Sequence, residues 1–338
     1  IVPCQPSYAC VGNNYCARGY KSTAPMYRCA SCDDGFYRRS GECVKCPDSP
    51  WLMVVVFVIM GLAAAGVGYY LNRSKVNVAL IAIGVDYFQV LAIFGMSRIS
   101  WPPMIVELFH ILSAFNLNIE ITAPECSIPD IAYETKWTII MLLPIMAAGV
   151  VLITYTILRL SVMGRALRKW QHEEQWGVMV AGLIVVMYFL YLYITRNVLD
   201  IFNCVPTDPP DGNLYLQPVF EECGKPGGIQ ERLMPFAILA LLVYVIGFPA
   251  VVGYLIYTYA DTIRRDQLIR AMGFFSRLYY YFKPDYYFWI LTIIGRKFFI
   301  AFCSLMFNTN PAFQLAAINL VIFISYTLQV RYMPYMAP

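Results

Sequence analysis

The chain has two histidines, His110 and His172, and little else in the way of catalytic side chains at meaningful spacing. His172 opens the sequence HEE at 172–174, which lacks the second histidine that an HExxH zinc site requires. No GxSxG, Walker A or GxGxxG sequence occurs. Asp130 and Glu134 stand four apart, but in an acidic stretch, and read as a solvated face. No enzyme, catalytic residue or cofactor is expected. Two features do raise a chemical question. Arg296 and Lys297 sit side by side in the apolar stretch TIIGRKFFIAF at 292–302. Cys29–Cys32 and Cys43–Cys46 form a CxxC…CxxC pair.

That pair belongs to a dense group. Seven of the eleven cysteines fall in the first 46 residues: Cys4, Cys10, Cys16, Cys29, Cys32, Cys43 and Cys46. This stretch has no apolar run able to build a core, and short Cys-rich segments of this kind are normally held by disulfides in an oxidising compartment. Zinc is the competing reading of the CxxC pair. Disulfides are preferred, because the next segment enters a membrane and no metal site is expected. The chain starts at Ile1 inside this stretch, without an initiator Met, so a longer natural N-terminus is expected.

The elements that must position these residues are membrane spans. Apolar residues make up 59% of the chain and charged ones 14%, against roughly 45–50% and about 25% in soluble domains. A hydrocarbon core of about 30 Å takes roughly 20 apolar residues. Runs of that kind place spans near 51–71, 77–97, 137–158, 176–201, 234–258, 286–306 and 312–330. A further apolar stretch, 101–119, is interrupted by Glu107, His110, Asn116 and Asn118. No basic tract or aromatic–basic pattern points to nucleic acid.

Loop charge sets the orientation, because Lys and Arg favour the cytoplasmic side. NRSK at 72–75, RLSVMGRALRKWQ at 159–171 and the segment 259–285 are basic, whereas 120–134 and 203–231 lean acidic. If 1–49 lies outside, residues 98–136 begin and end outside. Parity then forbids 101–119 from crossing once, and it becomes an outer-leaflet or re-entrant helix starting at WPP. The expectation is an all-α membrane bundle of seven spans with a disulfide-rich external module at 1–49 and a membrane domain at 50–335. The N-terminus is outside and the C-terminus cytoplasmic. Cys126, Cys204 and Cys223 then also lie outside. Cys204 is expected to pair with Cys223, and Cys126 with the odd cysteine of the module. Cys303 reads as a small packing residue within a span.

Within that frame Arg296 is ten residues from the inner end of the sixth span, about 15 Å deep. A charge there is costly and is usually paired or faces water. Asp86, at matching depth in the second span, is its expected partner, and Glu107 is the second acidic candidate, for Lys297. Two readings stay open: an ion pair that fixes helix packing, or groups lining a gate or ion path. Gly61–Ala65 and Ala64–Gly68 allow close helix approach, and Pro144, Pro235 and Pro249 interrupt helical hydrogen bonding. The aromatic run YYYFKPDYYFW at 279–289 suits the inner interface, and 261–283 suits a basic interfacial helix.

CARGY at 16–20 and CASCDDGFYRRSGECVKCP at 29–47 resemble the ephrin-receptor-like or growth-factor-receptor-like cysteine-rich repeat, with turn-rich loops of EGF type. VDYFQVLAIF, WPP, FNLNIEITAPECSIP, LLPI, NCVP, YLQPVFEEC, FKPDYYFWILTIIGRKF and RYMPY resemble, in order, the polytopic C-terminal module of large cysteine-rich surface proteins of algae, oomycetes and other protists. That module is loosely similar to TRP-like or polycystin-like channels. The resemblance implies a plasma, surface or ciliary membrane protein that is channel-like or mechanosensory. A structural anchor or subunit tethering an extracellular assembly and a seven-span receptor are the alternatives, although the DRY and NPxxY signatures of rhodopsin-type receptors are missing. The expected partners are lipid and other membrane or extracellular subunits, not nucleic acid.

Overall fold

A computed structural model describes residues 9–12, 15–22, 29, 32–39, 42–49, 51–52, 55, 59, 79–95, 102–112, 126, 131–160, 172–206, 212–219, 221–258, 260–261, 282–307 and 309–335. The chain divides into two compact units, Ile1–Thr138 with Asn197–Ala237, and Ile139–Arg196 with Ile238–Pro338. Most of the first expected span, the glycine and alanine pairs of 61–68, and most of the three basic segments fall outside the described residues.

The N-terminal module is built from two hairpins. Strand β1 (Cys10–Gly12) pairs antiparallel with β2 (Tyr15–Cys16), and β3 (Phe36–Arg39) with β4 (Glu42–Lys45). Its buried cluster comprises Ala9, Tyr20 and Cys29, packed by Cys16, Ala17 and Cys43. So small a core cannot offset the chain entropy of ordering the loops around it. Disulfides Cys16–Cys29 and Cys32–Cys43 supply the deficit.

Helix α1 (Ala79–Gly95) and α2 (Pro103–Leu112) follow. Pro103 opens α2, where its missing N–H costs nothing. Ten residues rise about 15 Å, half a hydrocarbon core. The two helices approach closely at Gly95, where a Cβ would lie 2.5 Å from that of Phe109. Helix α3 (Tyr133–Leu160) and α4 (His172–Asp200) are 28 and 29 residues long. A small antiparallel sheet absent from the sequence-based expectation joins α4 to α5 (Ile229–Ala240). Its strands are β5 (Cys204–Pro206), β6 (Leu214–Leu216) and β7 (Glu221–Glu222).

Beyond α5 the helix widens to a π-helix over Leu241–Gly247 and resumes as α6 (Phe248–Thr258). The cause lies in Pro249. It has no N–H for the carbonyl four residues back, Val245, and its ring pushes that carbonyl aside. In hydrocarbon an orphan carbonyl costs several kcal/mol. The Tyr191 hydroxyl of α4 donates to the Val245 carbonyl at 3.1 Å. The Tyr244 hydroxyl, on the π-helix itself, donates to the Met141 carbonyl at 3.0 Å, in the turn of α3 that precedes Pro144.

Helix α7 (Trp289–Met306) and α8 (Pro311–Tyr332) form an antiparallel pair. The Asn310 side chain caps α8 by accepting from Phe313 N at 3.2 Å, and Pro311 takes the first helical position. At the other end Lys283 N donates to the Pro334 carbonyl at 2.7 Å, beside a Phe282–Tyr335 bridge. The core of this unit gathers Tyr188, Tyr191, Val252, Ile256, Phe282, Trp289, Ile290, Ile293 and Ile294.

Among the described residues four helices are long and apolar enough to cross a bilayer: Leu183–Asp200, Ile229–Thr258, Trp289–Met306 and Pro311–Tyr332. The seven expected spans are therefore seen only in part. The second and third fall on α1, of 17 residues, and on α3. The sixth begins later than expected, because Pro284–Tyr286 forms a 3-10 turn before the α-helix starts at Trp289.

Tyr191→Phe is expected to destabilise the protein by about 1 kcal/mol, the scale of an interhelical hydrogen bond in a membrane. The loss should shrink in a Pro249→Ala background, where residue 249 regains an N–H for Val245. Unfolding titrations in mixed micelles measure both. An equal loss in the two backgrounds would mean that the hydroxyl does not replace the missing helical donor.

Candidate functional site

The arrangement in α7 differs from the one expected. Arg296 is half-buried, whereas Lys297 is 1% exposed. The later helix start also puts Arg296 only about 10 Å from the end of α7, seven residues at 1.5 Å each. Consecutive residues on a helix point about 100° apart, and the more deeply buried of the two cations is Lys297.

Its ammonium donates to the Tyr188 carbonyl at 3.1 Å. It also lies 3.8 Å from the centroid of the Tyr188 ring and 5.8 Å from that of Phe189. Helix geometry makes this possible. A carbonyl has two lone pairs and can serve a side chain as well as its helical donor. The ring face supplies negative potential, worth about 2 kcal/mol when water is excluded. Tyr188 and Tyr191 are three apart on α4 and so share a face. That face seats the cation with one residue and serves the Val245 carbonyl with the other. A buried ammonium on aromatic rings can neutralise an anionic group or hold a helix register.

The acidic candidates belong to the other unit. Asp86 is buried in α1 at 6% exposure, with Gln89 at 1% three residues on. Glu107 of α2 is exposed. Cys303 is a buried free thiol.

A second cluster ties three helix ends within the first unit. Trp137 Nε1 of α3 donates to the Asn197 carbonyl of α4 at 3.0 Å. Arg232 Nε of α5 donates to Glu134 Oε1 at 2.7 Å, so Glu134 is paired rather than merely solvated. Asp130 lies outside the described residues. Gln230 Nε2 donates to the Ile201 carbonyl at 3.1 Å. Carboxylates finish the N-terminus of α5: Glu221 Oε2 accepts from Ile229 N at 2.7 Å and Glu231 Oε2 from Gly227 N at 2.6 Å. The first satisfies an orphan helical donor and the second a donor just before the helix, and both carboxylates face the positive end of the helix dipole.

Disulfides complete the cluster. Cys204 bonds to Cys223 across the sheet, and Cys46 bonds to Cys126, 80 residues away in sequence. Cys10 is also disulfide-bonded, while Cys4 lies outside the described residues. All four sulfurs of the CxxC…CxxC pair are thus bonded to sulfur. A zinc ligand would instead be a free thiolate.

Sequence reasoning missed Tyr188, Tyr191, Tyr244, Trp137 and Arg232. A signal existed for the tyrosines, since three fall inside apolar runs where each hydroxyl needs an acceptor. Nothing local marks Arg232 as the partner of Glu134, 98 residues apart.

No protein-family model and no solved structure matches the chain. It is similar to "Cysteine repeat modular protein A" of Toxoplasma gondii, with 19% identity over 89% of this chain. The chain spans 12% of that relative's length.

Tyr188→Leu is expected to destabilise the protein by about 2 kcal/mol through the lost cation–π contact. Most of that loss should vanish in a Lys297→Met background. A double-mutant cycle with a coupling below about 0.5 kcal/mol, the noise of additivity, would show that the ring does not hold the cation.

Proposed function

We propose that this chain is a non-enzymatic membrane module of a cysteine-rich cell-surface protein, and that it couples an external cysteine-rich region to a helical bundle in a channel-like or mechanosensory role. Under this reading the bundle has seven spans, an external N-terminus and a cytoplasmic C-terminus. Its partners are lipid and other membrane or extracellular subunits. One observation carries the proposal: the Cys46–Cys126 bond makes the module covalently continuous with the segment leading into α3. A tether alone would need only the backbone that already joins the module to the first span. The disulfide-rich N-terminal region, the apolar helices and the similarity to a cysteine-rich protist protein support it further. The ion pair expected between Asp86 and Arg296 is part of this proposal. Arg296→Ala should be partly rescued by Asp86→Ala, since a lone buried charge costs roughly 3–5 kcal/mol.

An anchoring role is the second reading. It is favoured by the seat of Lys297 and by the tyrosine-bridged proline turns, which describe a packed bundle.

Patch recordings from proteoliposomes separate the two. The proposal expects stretch-dependent currents that fall in Cys46→Ser/Cys126→Ser. Silent membranes at confirmed protein density, with the module still bonded to Cys126, would leave anchoring as the function.

A further inference from the structure

The bond between Cys46 and Cys126 has a mechanical consequence that the sequence order hides. Tension arriving along the chain from the N-terminal side reaches Cys46 and divides there. One branch follows the backbone toward Trp51. The other crosses the sulfur bridge to Cys126, seven residues before the first residue of α3. Everything from 47 to 125 hangs in the loop that the bond closes. A closed loop cannot lengthen the path between its two ends, whatever happens inside it.

We propose that this bond is a force shunt: tension on the N-terminal side bypasses residues 47–125 and is delivered to the first turn of α3. The inference rests on the reading that the module is pulled from outside. The first turn of α3 is built to share such a pull. Glu134 holds Arg232 of α5, and Trp137 holds the Asn197 carbonyl of α4. The ends of α4 and α5 are themselves joined by the Gln230–Ile201 hydrogen bond and by Cys204–Cys223. Tension therefore reaches three helices together, covalently in α3 and through polar contacts in the other two.

Within α3 the turn best able to yield is the one before Pro144. Proline has no N–H for the Ile140 carbonyl, so this turn lacks a helical hydrogen bond. The adjacent Met141 carbonyl accepts from Tyr244 of the π-helix. A pull that straightens α3 must act on that contact before it acts on well-bonded turns. From the first turn of α3 the load runs along the helix toward a turn that lacks one helical hydrogen bond.

Single-molecule force spectroscopy on the full chain in a bilayer tests the proposal, with a handle at the N-terminus and the C-terminus fixed. Compared with Cys46→Ser/Cys126→Ser, the wild type should reach full extension about 270 Å shorter, the length of 80 extended residues at roughly 3.4 Å each. Three other disulfides close only 13, 11 and 19 residues, and these and the bond of Cys10 are unchanged in the variant. The force of the first step should fall with Arg232→Gln in the wild type, and be unaffected by Arg232→Gln in the double-serine variant. If the double-serine variant does not insert, the single variants Cys46→Ser and Cys126→Ser, each of which breaks only this bond, supply the same length comparison. Equal lengths would overturn the shunt, as would an Arg232→Gln effect that persists without the bond. Neither result depends on whether currents flow, so failure here is distinct from failure of the channel-like reading.

Discussion

A backbone carbonyl in hydrocarbon must find a donor inside the protein, because no water is there to supply one. Proline makes that demand specific. Pro249 strips one donor from a helix that continues on both sides of it, and the lost bond falls on Val245. The chain answers with Tyr191 from α4. This fixes more than one hydrogen bond. It sets the rotation of α4 about its axis, which in turn brings Tyr188, on the same face, to Lys297 of α7. The π-turn, the hydroxyl that completes it and the cation beside it are thus one packing solution.

The adjacent cations in α7 follow the same logic. Two charges in succession cannot both be buried on one helix face, so a protein that carries Arg–Lys in a span must place them differently. Lysine is the better choice for the tight position. Its slender stem fits between rings, whereas the planar guanidinium fork needs several acceptors arranged in its plane. The seat of Lys297, an aromatic face with a carbonyl at its edge, suits a compact ammonium.

The fold was legible where one segment decides its own state. The helical character of 137–158, 176–201, 234–258 and 312–330 follows from apolar runs, and the start of α8 from Asn310–Pro311. The small sheet β5–β7 was not legible, since strands of two or three residues carry no period. The candidate site was half legible. That charges sit in the sixth span is plain in the sequence; which of them is buried depended on whether the helix begins at Tyr286 or Trp289 and on which face it turns inward. A 3-10 turn of three residues decided the first, and neighbours from α4 the second. The contact of Glu134 with Arg232 depends on a sequence separation that no local pattern encodes.

The two units solve the problem of cohesion by different means, and the difference has a physical origin. Around α4, α6 and α7, large aromatic and branched side chains pack tightly, so dispersion and shape hold the helices. The module and the β5–β7 region have few apolar side chains to bury, so cross-links and helix caps hold them instead. A domain whose buried cluster, among the described residues, is Ala9, Tyr20 and Cys29 has little of its own with which to resist displacement. Its position is then only as defined as its covalent attachments. With the backbone at Trp51 as the sole attachment, the module could swivel about one chain. The second attachment at Cys126 removes that freedom. Two covalent attachments far apart in sequence convert a flexible appendage into a part whose movement must be felt by the segment it is bonded to.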